Sequence, residues 1–386
     1  MAISRPALLL AAAACCMPLR AQEEPDSARH GRDATLNLHN HTYCSDGSDS
    51  PETLVELARR AGVRTLAVTD HDTTACLARG RAAAAEAGVR FVPGVEISAE
   101  DDSIHILALN VDASDAALLG LLERNSRARL ERAREIVAKL RSGGLRVELK
   151  DVLVDQLDAR RAADGKAPLP PERAGAAAEG ELLAELDTPL TRPDIARTLV
   201  GRGYARDFRE AFDRYLGDQG EAAADMQGPP VAEVFRVVHA AGGIAVLAHP
   251  HTIYKFKARP WTYSGKPYTD FAALLEDLFE AGLDGVEQYK NQHGPERSIA
   301  EAANRYSRRT GRRVVFTPGS DYHGSSGAGQ PDLLAISVPK STADALRDAL
   351  DRRREPVAGG SVRRRALGAP EVQRVDAAIR RHFEPR

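Results

Sequence analysis

A chain of 386 residues is long enough for one large barrel with an insertion or for two domains, and 43% hydrophobic and 28% charged content is ordinary for a soluble globular protein. Fifty-three basic against 55 acidic side chains leave a formal net charge of −2, which excludes an electrostatic case for a long nucleic-acid track or a membrane surface. A short anionic ligand stays open, because bound metals can supply positive charge locally.

Residues 1–21 have the layout of a secretory signal peptide: Arg5, an apolar run from Pro6 to Met17, then Pro18-Leu19-Arg20-Ala21 ahead of Glu23-Glu24. The run is too short for a permanent bilayer span, so an exported periplasmic or secreted chain with no transmembrane segment is expected, beginning near Gln22. Cys15 offers an alternative lipoprotein processing point. The mature chain then keeps Cys44 and Cys76, in loops after the first two predicted strands. They can pair, pack as free thiols, or, for Cys44, ligate a metal.

After a polar lead-in at 23–33, apolar runs alternate with helical patterns. Strands are expected at Thr35–Leu38, Thr65–Val68, Arg90–Val95 and Ile104–Leu109, with helices at Pro51–Ala61 and Ala75–Ala87. This alternation predicts an α/β fold with a parallel sheet or barrel over 34–112. The rhythm breaks after Asp112. A long helix over Ala116–Leu140 ends at Gly143-Gly144, and 158–187, poor in large apolar residues, reads as flexible. With helices at Arg192–Val200 and Phe208–Tyr215, residues 113–228 form an inserted, mainly helical cap. The barrel resumes over 229–353, with helices at Val231–Ala241, Tyr268–Ala281, Pro295–Thr310 and Thr342–Arg352 and strands at Ile244–Ala248, Asp284–Glu287, Arg313–Thr317 and Leu333–Val338. Residues 354–386 are a basic, weakly patterned tail.

Nine acids and imidazoles fall around the expected strand ends: His39, His41 and Asp46; His71; Glu96; His105; His249; Asp321 and His323. In parallel barrels that rim is where functional groups gather. His39-x-His41 places two imidazoles on one side of an extended segment. Taken singly, most of these have bland readings: a core histidine bonded to a carbonyl, a turn aspartate, a helix cap. Glu96 resists one, since a lone carboxylate after a buried strand is costly without a partner. Together the nine point to a multinuclear site for zinc, manganese or iron, and to hydrolysis as its chemistry.

These residues resemble the PHP (polymerase and histidinol phosphatase) superfamily. His39-x-His41, Thr69-Asp70-His71, Ala248-His249-Pro250 and Ser320-Asp321-x-His323 are similar to its four motifs. The stretches Pro93–Ser98, Ile104–Leu107, Thr191-Arg192-Pro193 and Ala211–Gly217 resemble more narrowly the bacterial nucleoside 3′,5′-bisphosphate phosphatase and 5′-to-3′ exoribonuclease group. The resemblance implies a distorted (β/α)7 TIM-like barrel with three divalent ions. His39, His41, Glu96 and Asp321 would hold one; Glu96 would bridge to a second completed by His105 and His249; Asp46, His71 and His323 would hold the third. It implies a metal-bridging hydroxide attacking phosphorus, with Asp70 and Asp72 orienting imidazoles or moving a proton, and Arg192 clamping a phosphate.

Three positions depart from the family pattern: Asn37 for Asp, His251 for a small residue, and Asp194 for His. His251 is therefore a further candidate acid or ligand. The expected substrate is a nucleotide, another small phosphoester or a short single-stranded RNA end. The alternatives are an exported amide, carbamate or ester metallohydrolase on the same scaffold, and a non-catalytic metal-binding protein.

Overall fold

The computed structural model describes residues 34–100, 102, 104–250, 261–263, 266–268, 270–289, 297–324 and 335–352. The expected leader, the tail and His251 lie outside them.

The first units form as their sequence dictates. β1 (Ala34–Asn37) leads to α1 (Pro51–Arg60), whose N-cap Ser50 accepts from the Thr53 N–H while Pro51 occupies the first turn. β2 (Thr65–Val68), α2 (Leu77–Ala87) and β3 (Arg90–Ala99) follow, and β1, β2 and β3 pair in parallel. β4 (Ile104–Leu109) breaks the expected parallel run. It returns antiparallel on β3, because the short link after Ala99 cannot carry a crossover.

The chain then leaves the sheet for helices: α3 (Ala116–Ser142), α4 (Leu149–Ala163), α5 (Pro171–Ala176), α6 (Glu179–Leu186), α7 (Arg192–Gly201) and α8 (Phe208–Ala211), the last running into a π turn at Phe212–Leu216. They enclose their own apolar core, in which Ile136, Leu153, Leu182 and Leu199 are buried. The reading of 158–187 as flexible is corrected here. The stretch carries the end of α4, then α5 and α6; of its four leucines, Leu169, Leu182 and Leu186 are buried in that core and Leu183 packs half-buried against it. Counting apolar residues missed that none is spent on the surface.

After α9 (Val231–Ala240), β5 (Ile244–Leu247) pairs antiparallel with β4 and so restores the original direction. A separate hairpin of β6 (Trp261–Tyr263) and β7 (Lys266–Tyr268), α10 (Phe271–Ala281), β8 (Gly285–Tyr289), α11 (Arg297–Thr310) and β9 (Val315–Pro318) follow, with β8 and β9 extending the sheet in parallel. β10 (Ile336–Val338) lies antiparallel on the outer edge of β1, and α12 (Lys340–Arg352) follows it and packs against β9, burying Leu346 and Leu350 in a cluster with Val315. The ring closes just beyond the strands. Leu38 N–H donates to the Pro318 carbonyl (2.9 Å), Asp321 N–H to His39 (3.1 Å) and His41 N–H to Tyr322 (2.7 Å). The result is the expected distorted α/β barrel, with two of its eight strands reversed.

Candidate metal centre

The rim where the parallel strands end carries the candidate ligands. β1 runs out into His39 and His41, and Asn40 between them bridges to Tyr322. β2 runs into His71, itself bridged to Glu96 of β3; β5 leads to His249, and β9 to Asp321 and His323. His105 arrives differently. It is the second residue of β4, paired with Ser98, and the reversed strand begins at the rim where its neighbours end. Asp46 sits on a tight turn in which Ser45 and Gly47 N–H both donate to the Thr42 carbonyl. A Cβ on Gly47 would lie 2.6 Å from the His41 carbonyl oxygen, so only glycine fits there. Asp72, His249 and Asp321 all have positive φ, so left-handed backbone concentrates at this rim, as strain tends to at functional sites.

Glu96 lies at the centre, fully buried. Its Oε2 is 3.2 Å from His39 Nε2, His41 Nε2 and His71 Nδ1, while Oε1 is 3.0 Å from His105 Nδ1 and 2.9 Å from His249 Nε2. The Nε2 atoms of His39 and His41 are 3.1 Å apart, and Asp321 Oδ1 is 3.3 and 3.4 Å from them. Ligand atoms bound tetrahedrally at 2.0–2.1 Å from one ion stand roughly 3.3 Å apart, so these four donors have the spacing of one cation's ligands. In a further group Asp46 Oδ2 is 3.5 Å from His71 Nε2, and Oδ1 is 3.4 Å from His323 Nε2.

The pattern is one of ligands rather than hydrogen-bonded pairs. Glu96 Oε2 and His71 Nδ1 are buried yet neither makes a hydrogen bond, an arrangement that a coordinated cation would compensate. The residues fit divalent ions, and their nitrogen and oxygen donors suit zinc, manganese or iron.

Charge follows the same geometry. Burial alone would lower the His41 pKa, but the facing carboxylates of Asp321, Glu96 and Asp46 overcome it and raise it to about 10. Against the same burial, Glu96 and Asp102 raise His105 to about 10, and Asp46 raises His323 to about 9. At His71 burial wins and its pKa falls. Burial would lift the carboxyls, yet the facing imidazoles hold Asp46, Glu96 and Asp321 well below the usual range.

Two residues that the sequence reading passed over orient the ligands. Glu287 Oε1 is 3.1 Å from His39 Nδ1, and its Oε2 accepts from the His249 N–H at 2.6 Å. A proton on His39 Nδ1 shared with Glu287 leaves Nε2 free to bind. Gly319 makes room for this, since a Cβ there would fall 1.9 Å from Glu287 Oε1. The signal was an acid closing a buried strand, the same argument that singled out Glu96. The second residue, Asp102, lies 3.1 Å from His105 Nε2.

The two expected catalytic aspartates hold loops. Asp70 accepts from Thr42 N–H and hydroxyl (both 2.7 Å) and the Ser45 hydroxyl (2.8 Å), pinning the turn that bears Asp46. Asp72 accepts from Ser98 N–H, Asn125 and Arg129, the last a buried pair at 2.7 Å that anchors α3 to the rim. Neither carboxylate bonds directly to an imidazole among the described residues; Asp70 reaches His41 through Ser45, whose hydroxyl lies 3.4 Å from His41 Nδ1. Asn37 donates to the Ser320 hydroxyl (2.7 Å) and steadies the Asp321 loop. Asp194 accepts from Thr191 N–H and hydroxyl at 2.8 Å, closing the first turn of α7. Arg192 pairs with the exposed Asp218 (3.1 Å) and lies 3.8 Å from Asp102. Cys44 and Cys76 form a disulfide between the loops that carry Asp46 and His71, which removes Cys44 as a ligand.

Fold and rim together define an α/β barrel whose rim carries donors for divalent metal ions. The PHP domain profile matches residues 37–151. A 5′-3′ exoribonuclease of Haemophilus influenzae is 36% identical over 216 residues, 55% of this chain and 68% of that protein. A phosphoribosyl 1,2-cyclic phosphate 1,2-diphosphodiesterase of Eggerthella lenta is 30% identical over 298 residues, 75% of this chain and 95% of that one. A solved structure from Bifidobacterium adolescentis, assigned as a metal-dependent phosphoesterase, superposes with a TM-score of 0.63 at 28% identity, covering 84% of this chain and 98% of its own. The chain belongs to the PHP family.

Proposed function

We propose that the protein is a metal-dependent phosphoesterase, a hydrolase that cleaves phosphate esters of a small phosphorylated substrate or a short single-stranded RNA end. The observation that carries this reading is Glu96, whose two oxygens face two different sets of imidazoles as a bridging ligand does. Three divalent ions, manganese, zinc or iron, match the three donor groups: His39, His41, Glu96 and Asp321; Glu96, His105 and His249; Asp46, His71 and His323. Bound there, such ions supply an acidified water and neutralise charge on phosphoryl oxygens.

The chain's own residues set up the reaction. Glu287 and Asp102 turn the rings of His39 and His105, and Asp70 fixes the turn that presents Asp46. The helical segment 113–228 acts as a cap that selects the substrate, with Arg192 of α7 offering its guanidinium to a phosphate in place of Asp218. Among the described residues no helix is long and apolar enough to cross a membrane, and export rests on residues 1–21.

The test compares phosphomonoesters, nucleoside bisphosphates, short RNA, aryl esters and amides on one metal-loaded preparation, with and without a chelator. Phosphoester turnover that the chelator abolishes is expected. Turnover of amides or aryl esters alone would transfer the site to the alternative hydrolase reading.

A further inference from the structure

Asp102 stands on the turn between β3 and β4 with φ of 65°, a left-handed conformation that aspartate tolerates better than most residues. Nothing in the sequence marks it as part of the site. Its side chain is 8% exposed and fully engaged. Oδ1 lies 3.1 Å from His105 Nε2, and Oδ2 accepts from Arg132 Nη1 at 2.6 Å. The guanidiniums of Arg192 (3.8 Å) and Arg129 (3.9 Å) complete its surroundings. On the other side of the imidazole, His105 Nδ1 is 3.0 Å from Glu96 Oε1, which His249 Nε2 also approaches at 2.9 Å.

One imidazole therefore separates two carboxylates with unlike neighbours. Glu96 faces other ring nitrogens, the surroundings of a cation ligand. Asp102 faces arginines, which keep a negative oxygen aimed at the outer edge of the ring. A neutral imidazole has one N–H and one lone pair, and with a cation held between His105 and Glu96 the assignment that serves both sides is Nε2–H donating to Asp102 and Nδ1 giving its lone pair to that cation.

We propose that Asp102 is a positioning residue that fixes His105 as the Nε2–H tautomer for cation binding through Nδ1, and that Arg132 of α3 holds it in place. The assignment rests on the metal-site reading above. It makes the middle donor group depend on the helical segment: of the arginines around Asp102, none comes from the barrel.

Cation-stripped full-length protein is titrated with Zn2+ or Mn2+ calorimetrically, comparing wild type with Asp102→Asn and Asp102→Ala. One class of site should weaken by about 10- to 100-fold, more in the alanine variant because asparagine retains an acceptor for Nε2–H. The remaining sites should change little, while the stripped protein should melt at a lower temperature in both variants because Arg132 loses its buried partner. In the wild type, ring nitrogen chemical shifts of His105 in the Zn2+-loaded form should report a protonated Nε2 and a coordinated Nδ1, a readout that does not depend on how the variants fold. Unchanged affinity at every site in both variants, or a protonated Nδ1 in the wild type, overturns the assignment of Asp102 alone. A wild-type chain that takes up no cation overturns the metal-site reading along with it.

Discussion

The rim of the barrel and the helical segment between β4 and β5 are held by opposite means. At the rim, buried polar side chains face one another, and each position demands a particular chemical group: Glu96 meets five imidazoles, and Gly319 has space for no side chain at all. In the helical segment, Leu153, Leu182 and Leu199 meet other apolar side chains, and any hydrophobe of similar size would serve. A single atom changed at the rim should abolish function while sparing the fold. A comparable change among the helices should weaken the fold while sparing function.

The sharpest way to break this contrast is Glu96→Gln. Replacing the shared carboxylate removes charge from two donor groups at once, so uptake of Zn2+ or Mn2+ should fall by at least about a hundredfold and phosphoester hydrolysis with it. Calorimetric titration and a phosphate-release assay measure both, and a fully active variant would end the multinuclear account. The converse change is Leu153→Ala in α4. Emptying that buried position should cost about 2–5 kcal/mol of unfolding free energy, read by denaturant or thermal melts, while cation affinity in the folded protein stays put. Equal losses in both quantities would mean that the two regions are not separable.

Protons sharpen the comparison further, since they concentrate at the rim. In the cation-free chain the imidazoles of His41 and His105 are raised to about 10 and that of His323 to about 9, so their pairing stabilises the fold fully below about pH 6.5, the ordinary histidine value, and is lost as pH rises through 9 to 10. Cations need the same nitrogens unprotonated, so the dependence inverts on loading. Apparent affinity should climb between pH 6 and 9 and proton release should accompany uptake, as titrations in buffers of different ionisation enthalpy will show. An affinity flat across that range would contradict the donor assignment. The smallest effect belongs to Arg192→Ala, where the helices meet the rim. A clamp made already in the ground state should raise KM for a phosphorylated substrate about tenfold with kcat nearly unchanged. A small activated ester should be cleaved as before, and parallel loss on both substrates would assign Arg192 to the fold.

Legibility in the sequence divides along the same line. The nine ligand candidates were readable because acids and imidazoles beside buried strands have few bland explanations in combination, and each reaches the rim. The reversal of β4 was not, because an apolar run such as Ile104–Leu109 carries no sign of direction; only the short link before it does. Glu287 and Asp102 stayed hidden for want of a partner adjacent in sequence: their histidines lie 248 and three residues away, and spacing three suggests contact only on a helix. Among the helices, the count of large apolar residues misled at 158–187, where Leu169, Leu182 and Leu186 are buried and Leu183 packs against them. The cysteine pairing, open at the sequence level, needed the two loops to be placed side by side.

That cross-link has a consequence for the unfolded chain. Cys44 and Cys76, 32 residues apart in sequence, make the segment between them a covalent ring, and the ring contains Asp46 and His71. Closing a loop of that length removes roughly 3–4 kcal/mol of denatured-state entropy on the chain-entropy view. It also keeps a carboxylate and an imidazole within reach of each other after the barrel has come apart. The oxidised, denatured protein is thus a tethered chelator, and any ion it retains lowers the free energy of the wrong state. Metal should accordingly protect the oxidised fold by less than its affinity for the native site implies, with the full amount returning only once the ring is opened.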